Sequence, residues 1–194
     1  MAIDTWLVLG LGNPGDRYRA TRHNVGQMVV DELATRMHQT FSRHPRANAL
    51  VVEGRTVPGG PKLVLAKSTG YMNTSGAPAS QLVKYYGVPL ERTIVVHDEL
   101  DIPFDSLKLK RGGGHGGHNG LRDISSALGA EYLRVRVGIG RPPGRQDAAD
   151  YVLRPFAASE RATLPVLVSD AADAVMMIVE DGLLAAQQRV HGKP

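Results

Sequence analysis

The sequence predicts a single α/β domain spanning residues 1–194, because strand-like runs alternate with helical patterns along a chain of one-domain length. Runs rich in Val, Leu and Ile are separated by stretches in which apolar residues recur at the helical period. The runs are 6–11, 49–53, 62–67 and 93–97; the helical stretches are 25–38, 76–86 and about 159–190, the last interrupted near Gly182. This alternation indicates a sheet covered by helices on both faces.

Two later segments, 106–111 and 133–137, alternate apolar and basic residues and are predicted to be strands with one basic face each. Side chains two positions apart on a strand point to the same side. If the two strands pair, Lys108, Lys110, Arg134 and Arg136 share one face. Such a face suits a polyanion, although charged strand faces are often only solvated.

The composition excludes several classes of function. The sequence contains no cysteine, so disulfide frameworks, thiolate nucleophiles and cysteine metal sites are excluded, and a cytosolic location is the default. No apolar run reaches the ~18 residues of a membrane span, and the N-terminus lacks the basic region of a signal peptide. The net charge of +4 permits a polyanionic partner without requiring one.

The turn Gly10-Leu11-Gly12-Asn13-Pro14-Gly15 matches the G-x-G-x-x-G pattern of a dinucleotide cradle. In such a cradle the third glycine opens a helix with an apolar face, whereas residues 16–23 here have no such face. The first convincing helix begins later, with Asn24 as its expected N-cap and Gln27 completing a capping-box-like pair. Residues 12–24 are therefore predicted to form a polar loop where open α/β sheets bind ligands.

His23 and Asp98 are a candidate pair of catalytic residues. His23 directly precedes a helix N-terminus, whose partial positive charge disfavours imidazolium. Asp98 ends an apolar strand, and a carboxylate there can hold an imidazole in one tautomer. Alternatively, His23 is a loop histidine without a role, and Asp98 is a turn or helix-cap residue. Glu99 and Asp101 are predicted to be solvated. No G-x-S-x-G elbow is present, so the pair favours a base that activates water, as in ester hydrolysis.

The loop at 112–120 contains six glycines as well as His115, His118 and Asn119, and it precedes an amphipathic helix with Leu121, Ile124 and Leu128. Backbone N–H groups of such a loop can approach an anion closely, so the segment is predicted to contact phosphate or RNA. The spacing of His115 and His118 also allows a metal site, although a flexible glycine loop is a poor scaffold for one. A third possibility is that the glycines serve only a tight turn.

Several motifs in order resemble those of bacterial peptidyl-tRNA hydrolase: GLGNPGDRYRATRHNVG, GYMNTSG, VVHDELDIP, GGGHGGHNGL, RVRVGIGRP and DYVLRPF. The resemblance covers residues from about 7 to 156. It implies a monomeric α/β protein with a mixed, twisted sheet flanked by helices. It also implies a cytoplasmic enzyme that cleaves the ester between a peptide and the 3′ end of tRNA, with neither a cofactor nor a metal.

The resemblance also implies roles for individual residues. His23 resembles the general base and Asp98 its orienting partner. Asn13 would contact the peptide and help reject unblocked aminoacyl-tRNA, and Asn73 would position water or stabilise the oxyanion. The remaining implied contacts are Tyr18, Tyr71 and Asn119 lining the substrate site, Met72 packing beneath it, His118 near the acceptor end, and Lys108, Lys110 and Arg136 at tRNA phosphates. An RNA-binding module without catalysis and a metal-dependent hydrolase are the alternatives.

Overall fold

The computed structural model describes residues 4–191, which form seven strands and seven α-helices. The strands are β1 (Thr5–Gly10), β2 (Ser42–Arg43), β3 (Ala49–Gly54), β4 (Lys62–Ser68), β5 (Thr93–Glu99), β6 (Leu107–Arg111) and β7 (Leu133–Gly138). The helices are α1 (Val25–Arg36), α2 (Gly76–Tyr86), α3 (Asn119–Leu128), α4 (Ala148–Val152), α5 (Ala158–Arg161), α6 (Leu164–Asp181) and α7 (Leu183–His191). Short 3-10 helices cover Arg22–Asn24, Met72–Thr74 and Leu90–Arg92.

All seven strands belong to one sheet with the order β2-β3-β4-β1-β5-β7-β6. The four strands β4, β1, β5 and β7 are mutually parallel. Both β3 and β6 run antiparallel to their neighbours. The fold class implied by the resemblance, a mixed sheet flanked by helices, is confirmed. The two strands with basic residues, β6 and β7, pair with each other.

Helices cover both faces of the sheet, so the central strands are buried on both sides. One face packs against α1 and α6, and its core includes Val8, Val29, Ile94 and Val175. The other face packs against α2 and α3. Alternating side chains of β1 and β5 enter the two cores in turn, which explains why these strands are nearly continuous apolar runs.

Glycines at the start of the chain allow the backbone of α1 to approach the carboxyl ends of β1 and β5 closely. A Cβ at Gly10 would lie 2.3 Å from the Gly26 carbonyl oxygen, and a Cβ at Gly26 would lie 2.1 Å from the Val96 carbonyl oxygen. Neither position can carry a side chain without moving the helix. Gly10 and Gly26 therefore allow α1 to pack closely against the sheet, and this places the residues just before the helix at the end of β5.

The C-terminal helical stretch is interrupted where the sequence predicts. Gly182 has a φ of +88°, which separates α6 from α7. Helix α7 lies along the edge strand β6: His191 Nε2 accepts a hydrogen bond from the Leu109 N–H at 2.9 Å, and Gln187 Nε2 donates to the Leu109 carbonyl at 2.9 Å. None of the helices in the described range has the length and apolar character needed to cross a membrane.

Candidate active site

A cavity of about 580 Å³ opens at the carboxyl ends of β1 and β5, the edge at which open α/β sheets bind ligands. Four segments contribute its polar wall: the loop after β1, the 3-10 turn before α2, the end of β5, and the glycine-rich loop that leads into α3. The polar residues that line it are Asn13, His23, Tyr71, Asn73, Asp98, Glu99, His118 and Asn119. The structure thus brings together most of the residues predicted to form the site.

Asp98 lies between two histidines at the bottom of this cavity. One carboxylate oxygen, Oδ2, is 2.8 Å from His23 Nδ1, and the other, Oδ1, is 2.8 Å from His118 Nε2. Asp98 is 3% exposed, so neither bond competes with bulk water. The carboxylate therefore fixes both imidazoles, and His23 Nε2 has no hydrogen-bond partner among the described residues.

His118 has its tautomer fixed by the helix that follows it. Its Nδ1 accepts hydrogen bonds from the N–H groups of Gly120 and Leu121, at 3.1 and 3.3 Å, and so caps the N-terminus of α3. Since Nδ1 is an acceptor, the hydrogen must be on Nε2, from which it is donated to Asp98. The orientation of Asp98 is thus tied to the start of α3.

The charges in this cluster change the pKa values of both His23 and Asp98. Burial alone would raise the pKa of the Asp98 carboxyl, but the two adjacent imidazoles hold that pKa well below its usual range. Burial alone would lower the pKa of His23, but the charge and the hydrogen bond of Asp98 together raise it. The effect of Asp98 opposes the helix-dipole effect expected from the sequence.

Helix α1 begins directly after Asn24, as predicted, and Asn24 Nδ2 donates to Gln27 Oε1 at 3.5 Å, but the Asn24 side chain makes no capping hydrogen bond to the helix backbone, so the predicted capping box does not form. Residues 22–24 form a 3-10 turn, which continues into α1 without the extended backbone of an N-cap residue. The Asn24 side chain instead binds the backbone of Asn13. Asn24 Oδ1 accepts a hydrogen bond from the Asn13 N–H at 2.9 Å, and Asn24 Nδ2 donates one to the Asn13 carbonyl at 2.9 Å.

The Asn13 side chain is oriented by a neighbouring backbone group. Its Oδ1 accepts a hydrogen bond of 2.7 Å from the Met72 N–H. The Nδ2 group consequently has no partner among the described residues, and Asn13 lines the cavity. The amide therefore presents a donor to whatever occupies the cavity. Met72 itself is buried beneath the site, as expected of a packing residue.

Comparison with known proteins assigns this chain to a family. A family model described as "Peptidyl-tRNA hydrolase" matches residues 7–194. The chain belongs to the peptidyl-tRNA hydrolase family. It is 62% identical over 187 residues to the peptidyl-tRNA hydrolase of Leifsonia xyli, with 96% of each chain covered. It is 60% identical over 189 residues to that of Pseudarthrobacter chlorophenolicus, covering 97% of this chain and 96% of the relative.

The same family accounts for the fold. The crystal structure of peptidyl-tRNA hydrolase from Acinetobacter baumannii superposes with a TM-score of 0.89 at 33% identity, covering 98% of this chain and 96% of that one. Both the resemblance read from the motifs and the α/β architecture are confirmed by these comparisons. The roles of individual residues in this member of the peptidyl-tRNA hydrolase family stay predictions.

Three of the predicted substrate contacts lie at the rim of the site. Asn73 and Asn119 have exposed side chains and also line a second groove with Arg122, Asp123 and Ser126. Tyr71 is 58% exposed and lines the cavity. Tyr18 is outside the cavity lining, but its ring meets that of Tyr71 edge-on, with centroids 6.2 Å apart. Tyr18 can therefore act on a ligand only through Tyr71 or at the outer rim.

One wall of the cavity was not predicted from the sequence. Apolar residues line this wall opposite the candidate catalytic residues. They are Leu100 after β5, Ala148, Ala149 and Val152 of α4, and Leu153 directly after it. Arg22 is buried beneath this wall. It donates to the Tyr151 carbonyl at 3.1 Å, and its guanidinium lies 3.8 Å from the centre of the Tyr151 ring. Arg22 thus attaches the turn carrying His23 to α4.

The two basic strands pair with each other, but they do not present four free cations. Lys108 lies opposite Arg136, and Lys110 lies opposite Arg134. Arg134 is fully buried and donates to backbone carbonyls, so the prediction that it belongs to a solvated basic face is wrong. Arg136 binds Glu99 at 2.9 Å; Glu99 is partly buried, contrary to its expected solvation. Lys108 and Lys110 have no salt bridge within residues 4–191.

The histidines do not form the metal pair suggested by their spacing. His115 Nδ1 accepts a hydrogen bond from the Gly117 N–H at 3.0 Å, and His118 uses both nitrogens as described above. A different set, His23, Asp98 and His118, offers ligand atoms within 4.8 Å of one another and could hold a cation. These three residues include the candidate catalytic pair, His23 and Asp98. Hydrolysis measured with and without a chelator therefore distinguishes a metal-dependent reaction from general-base catalysis by His23.

Proposed function

We propose that this chain hydrolyses the ester between the peptide and the 3′-terminal ribose of peptidyl-tRNA, with His23 as the general base. Membership of the peptidyl-tRNA hydrolase family supports the reaction. The observation that carries the mechanism is the 2.8 Å hydrogen bond from His23 Nδ1 to Asp98, which leaves Nε2 unpaired at the cavity. Only a nitrogen in that state can accept a proton from water.

The proposed reaction needs one water and forms no covalent bond between the enzyme and the substrate. His23 Nε2 takes a proton from water while the water oxygen bonds to the ester carbonyl carbon, which gives a tetrahedral oxyanion. The bond from that carbon to the ribose 3′-oxygen then breaks, and the 3′-oxygen takes the proton back from His23. Asn73, at the rim of the same cavity, is the proposed donor to the oxyanion or the group that positions water.

Asn13 is the proposed sensor of the acylated α-amino group. Its Nδ2 faces the cavity as a donor because Oδ1 is occupied by Met72. A blocked substrate has a peptide carbonyl oxygen that can accept this bond, whereas free aminoacyl-tRNA has a cationic ammonium that only repels a donor. His118 is proposed to lie near the acceptor end, and Tyr18, Tyr71 and Asn119 are proposed to line the substrate site.

The phosphates of tRNA are proposed to contact Lys108, Lys110 and Arg136. Lys110→Ala is expected to raise KM severalfold and to reduce the slope of log KM against log salt by about one, because one phosphate contact is lost. The measurement is steady-state kinetics on peptidyl-tRNA at several salt concentrations. Lys84→Ala, which removes an exposed cation at the end of α2, is the matched control. Equal slopes for both variants would argue against the contact.

We also propose that the enzyme acts as a single-domain monomer in the cytoplasm, without metal or cofactor. The function is tested by measuring release of tRNA from N-acetyl-aminoacyl-tRNA and from the same unblocked aminoacyl-tRNA, with and without EDTA. Rapid cleavage of only the blocked substrate in EDTA is expected. Binding without cleavage would indicate an RNA-binding module, and loss of cleavage in EDTA a metal enzyme.

Asn13→Asp tests the proposed sensor in the same assay. The new carboxylate can still accept from the Met72 N–H, but it presents an acceptor where Asn13 presents a donor. The ratio of kcat/KM for blocked over unblocked substrate is expected to fall by about 10-fold or more, the effect of losing one hydrogen bond and adding a repulsive oxygen. The control is Asn48→Asp, at an exposed position outside the cavity. An unchanged ratio in Asn13→Asp would refute the assignment.

A further inference from the structure

Arg134 is a fully buried arginine on β7 whose guanidinium holds the glycine-rich loop. Its Nη1 donates to the Gly114 carbonyl at 2.6 Å, and its Nη2 donates to the Gly113 carbonyl at 2.7 Å. The same Nη2 reaches the Ala130 carbonyl at 3.2 Å, just before β7. Hydrogen bonds from a charged donor are stronger than neutral ones, and the planar fork fixes both loop carbonyls in direction.

These two bonds determine where the next N–H groups point. In a trans peptide the C=O and the following N–H are antiparallel. Because the carbonyls of Gly113 and Gly114 point inward to Arg134, the N–H groups of Gly114 and His115 point away from it. Neither N–H donates a hydrogen bond within the described part of the chain, and Gly113 and Gly114 are exposed. The loop therefore presents two successive backbone donors outward.

Only glycine permits this arrangement of the loop. Gly112 and Gly113 have φ values of +71° and +100°, a region that side chains disfavour. A Cβ at Gly113 would also lie 2.6 Å from Lys110 Nζ, so the ammonium lies directly against the loop backbone. Successive outward N–H groups next to a cation form an anion-binding concavity. The same loop continues into the cavity wall at Gly116 and Gly117.

We propose that Arg134 is a positioning residue for tRNA binding. It turns the Gly113 and Gly114 carbonyls inward, so that the N–H groups of Gly114 and His115 face a tRNA phosphate beside Lys110. Arg134 itself is buried and does not touch the phosphate. The proposal rests on the proposed function, since the phosphate belongs to the peptidyl-tRNA that the site cleaves.

The test separates binding of the tRNA body from cleavage of the ester. Arg134→Gln and Arg134→Lys are compared with wild type on N-acetyl-aminoacyl-tRNA and on N-acetyl-aminoacyl-adenosine, which has the ester but no phosphate. We expect Arg134→Gln to raise KM for the tRNA substrate about 10-fold, as for the loss of oriented hydrogen bonds to a charged group, with kcat nearly unchanged. On the adenosine ester kcat/KM should match wild type.

Arg134→Lys keeps the charge but loses the fixed fork, so a smaller rise in KM of about threefold is expected. Thermal unfolding establishes which variants are folded. If Arg134→Gln does not fold, the proposal is tested on Arg134→Lys instead, by its KM for the tRNA substrate and its kcat/KM for the adenosine ester. Arg43→Gln, an exposed arginine on β2 at the opposite edge of the sheet, controls for the loss of one charge.

Two outcomes would overturn the proposal. One is an unchanged KM for the tRNA substrate in the folded variants, and the other is an equal fall in kcat/KM on both substrates, which would indicate a merely structural role. If wild type cleaves neither substrate, the proposed function fails instead, so the two failures are distinguishable.

Discussion

Replacement of His23 by asparagine is expected to lower kcat on N-acetyl-aminoacyl-tRNA by about 10²–10⁴-fold, the contribution of a positioned general base. The substitution removes the imidazole nitrogen that, among the histidines lining the cavity within residues 4–191, is the one without a partner, while Asp98 and His118 stay bonded to each other. KM should change little, because the proposed phosphate contacts lie on other elements. Single-turnover release of tRNA measures the chemical step, and filter binding measures the affinity.

The control for this substitution is His38→Asn. His38 is exposed just after α1, and its φ of +55° is one that asparagine tolerates. It should retain wild-type kcat. A His23→Asn enzyme with near-normal kcat would exclude His23 as the base, and loss of binding together with turnover would indicate that the substitution disturbs the cavity as a whole.

Asp98→Asn is the second substitution with a large expected effect, at least about 10²-fold in kcat. Two imidazole N–H groups donate to Asp98, but an asparagine has one acceptor oxygen and one donor group. His118 cannot release its hydrogen from Nε2 because its Nδ1 caps α3. The asparagine oxygen must therefore face His118, and its NH₂ forces His23 to carry its hydrogen on Nε2, where it cannot accept a proton.

The pH profile distinguishes this explanation from a general loss of structure. In the wild type, kcat/KM should fall as the pH drops through the raised pKa of His23, since only the neutral imidazole is a base. In Asp98→Asn the charge that raises this pKa is lost, whereas burial, which lowers it, remains. The acid limb should thus move to lower pH as the rate falls. A limb that stays in place would contradict the assignment of Asp98.

The parts of the site that could be predicted are those determined by local pattern. An apolar run that ends in His97-Asp98 identifies a strand terminus, and a polar loop after β1 reaches the same edge of the sheet. The meeting of His23 and Asp98 follows from the topology of parallel strands. For that reason, the sequence alone suffices to suggest a base and its partner.

The parts that could not be predicted depend on packing between distant segments. Arg22 and Arg134 look like surface cations in the sequence, yet each is buried and bonded to carbonyls. The partner of Arg22 is Tyr151, 129 residues further along the chain. Asn24 has the residue type of an N-cap, but the preceding 3-10 turn gives its side chain a different partner. No local periodicity encodes such contacts.

The contact between α7 and β6 has a consequence for association between copies of the chain. An edge strand with unpaired backbone groups is a template on which another protein can add a strand. Here the outward N–H and C=O of Leu109 are already bonded to His191 and Gln187. Helix α7 thus covers this edge of the sheet at Leu109, which disfavours the addition of a further strand there, while Lys108 beside it remains exposed.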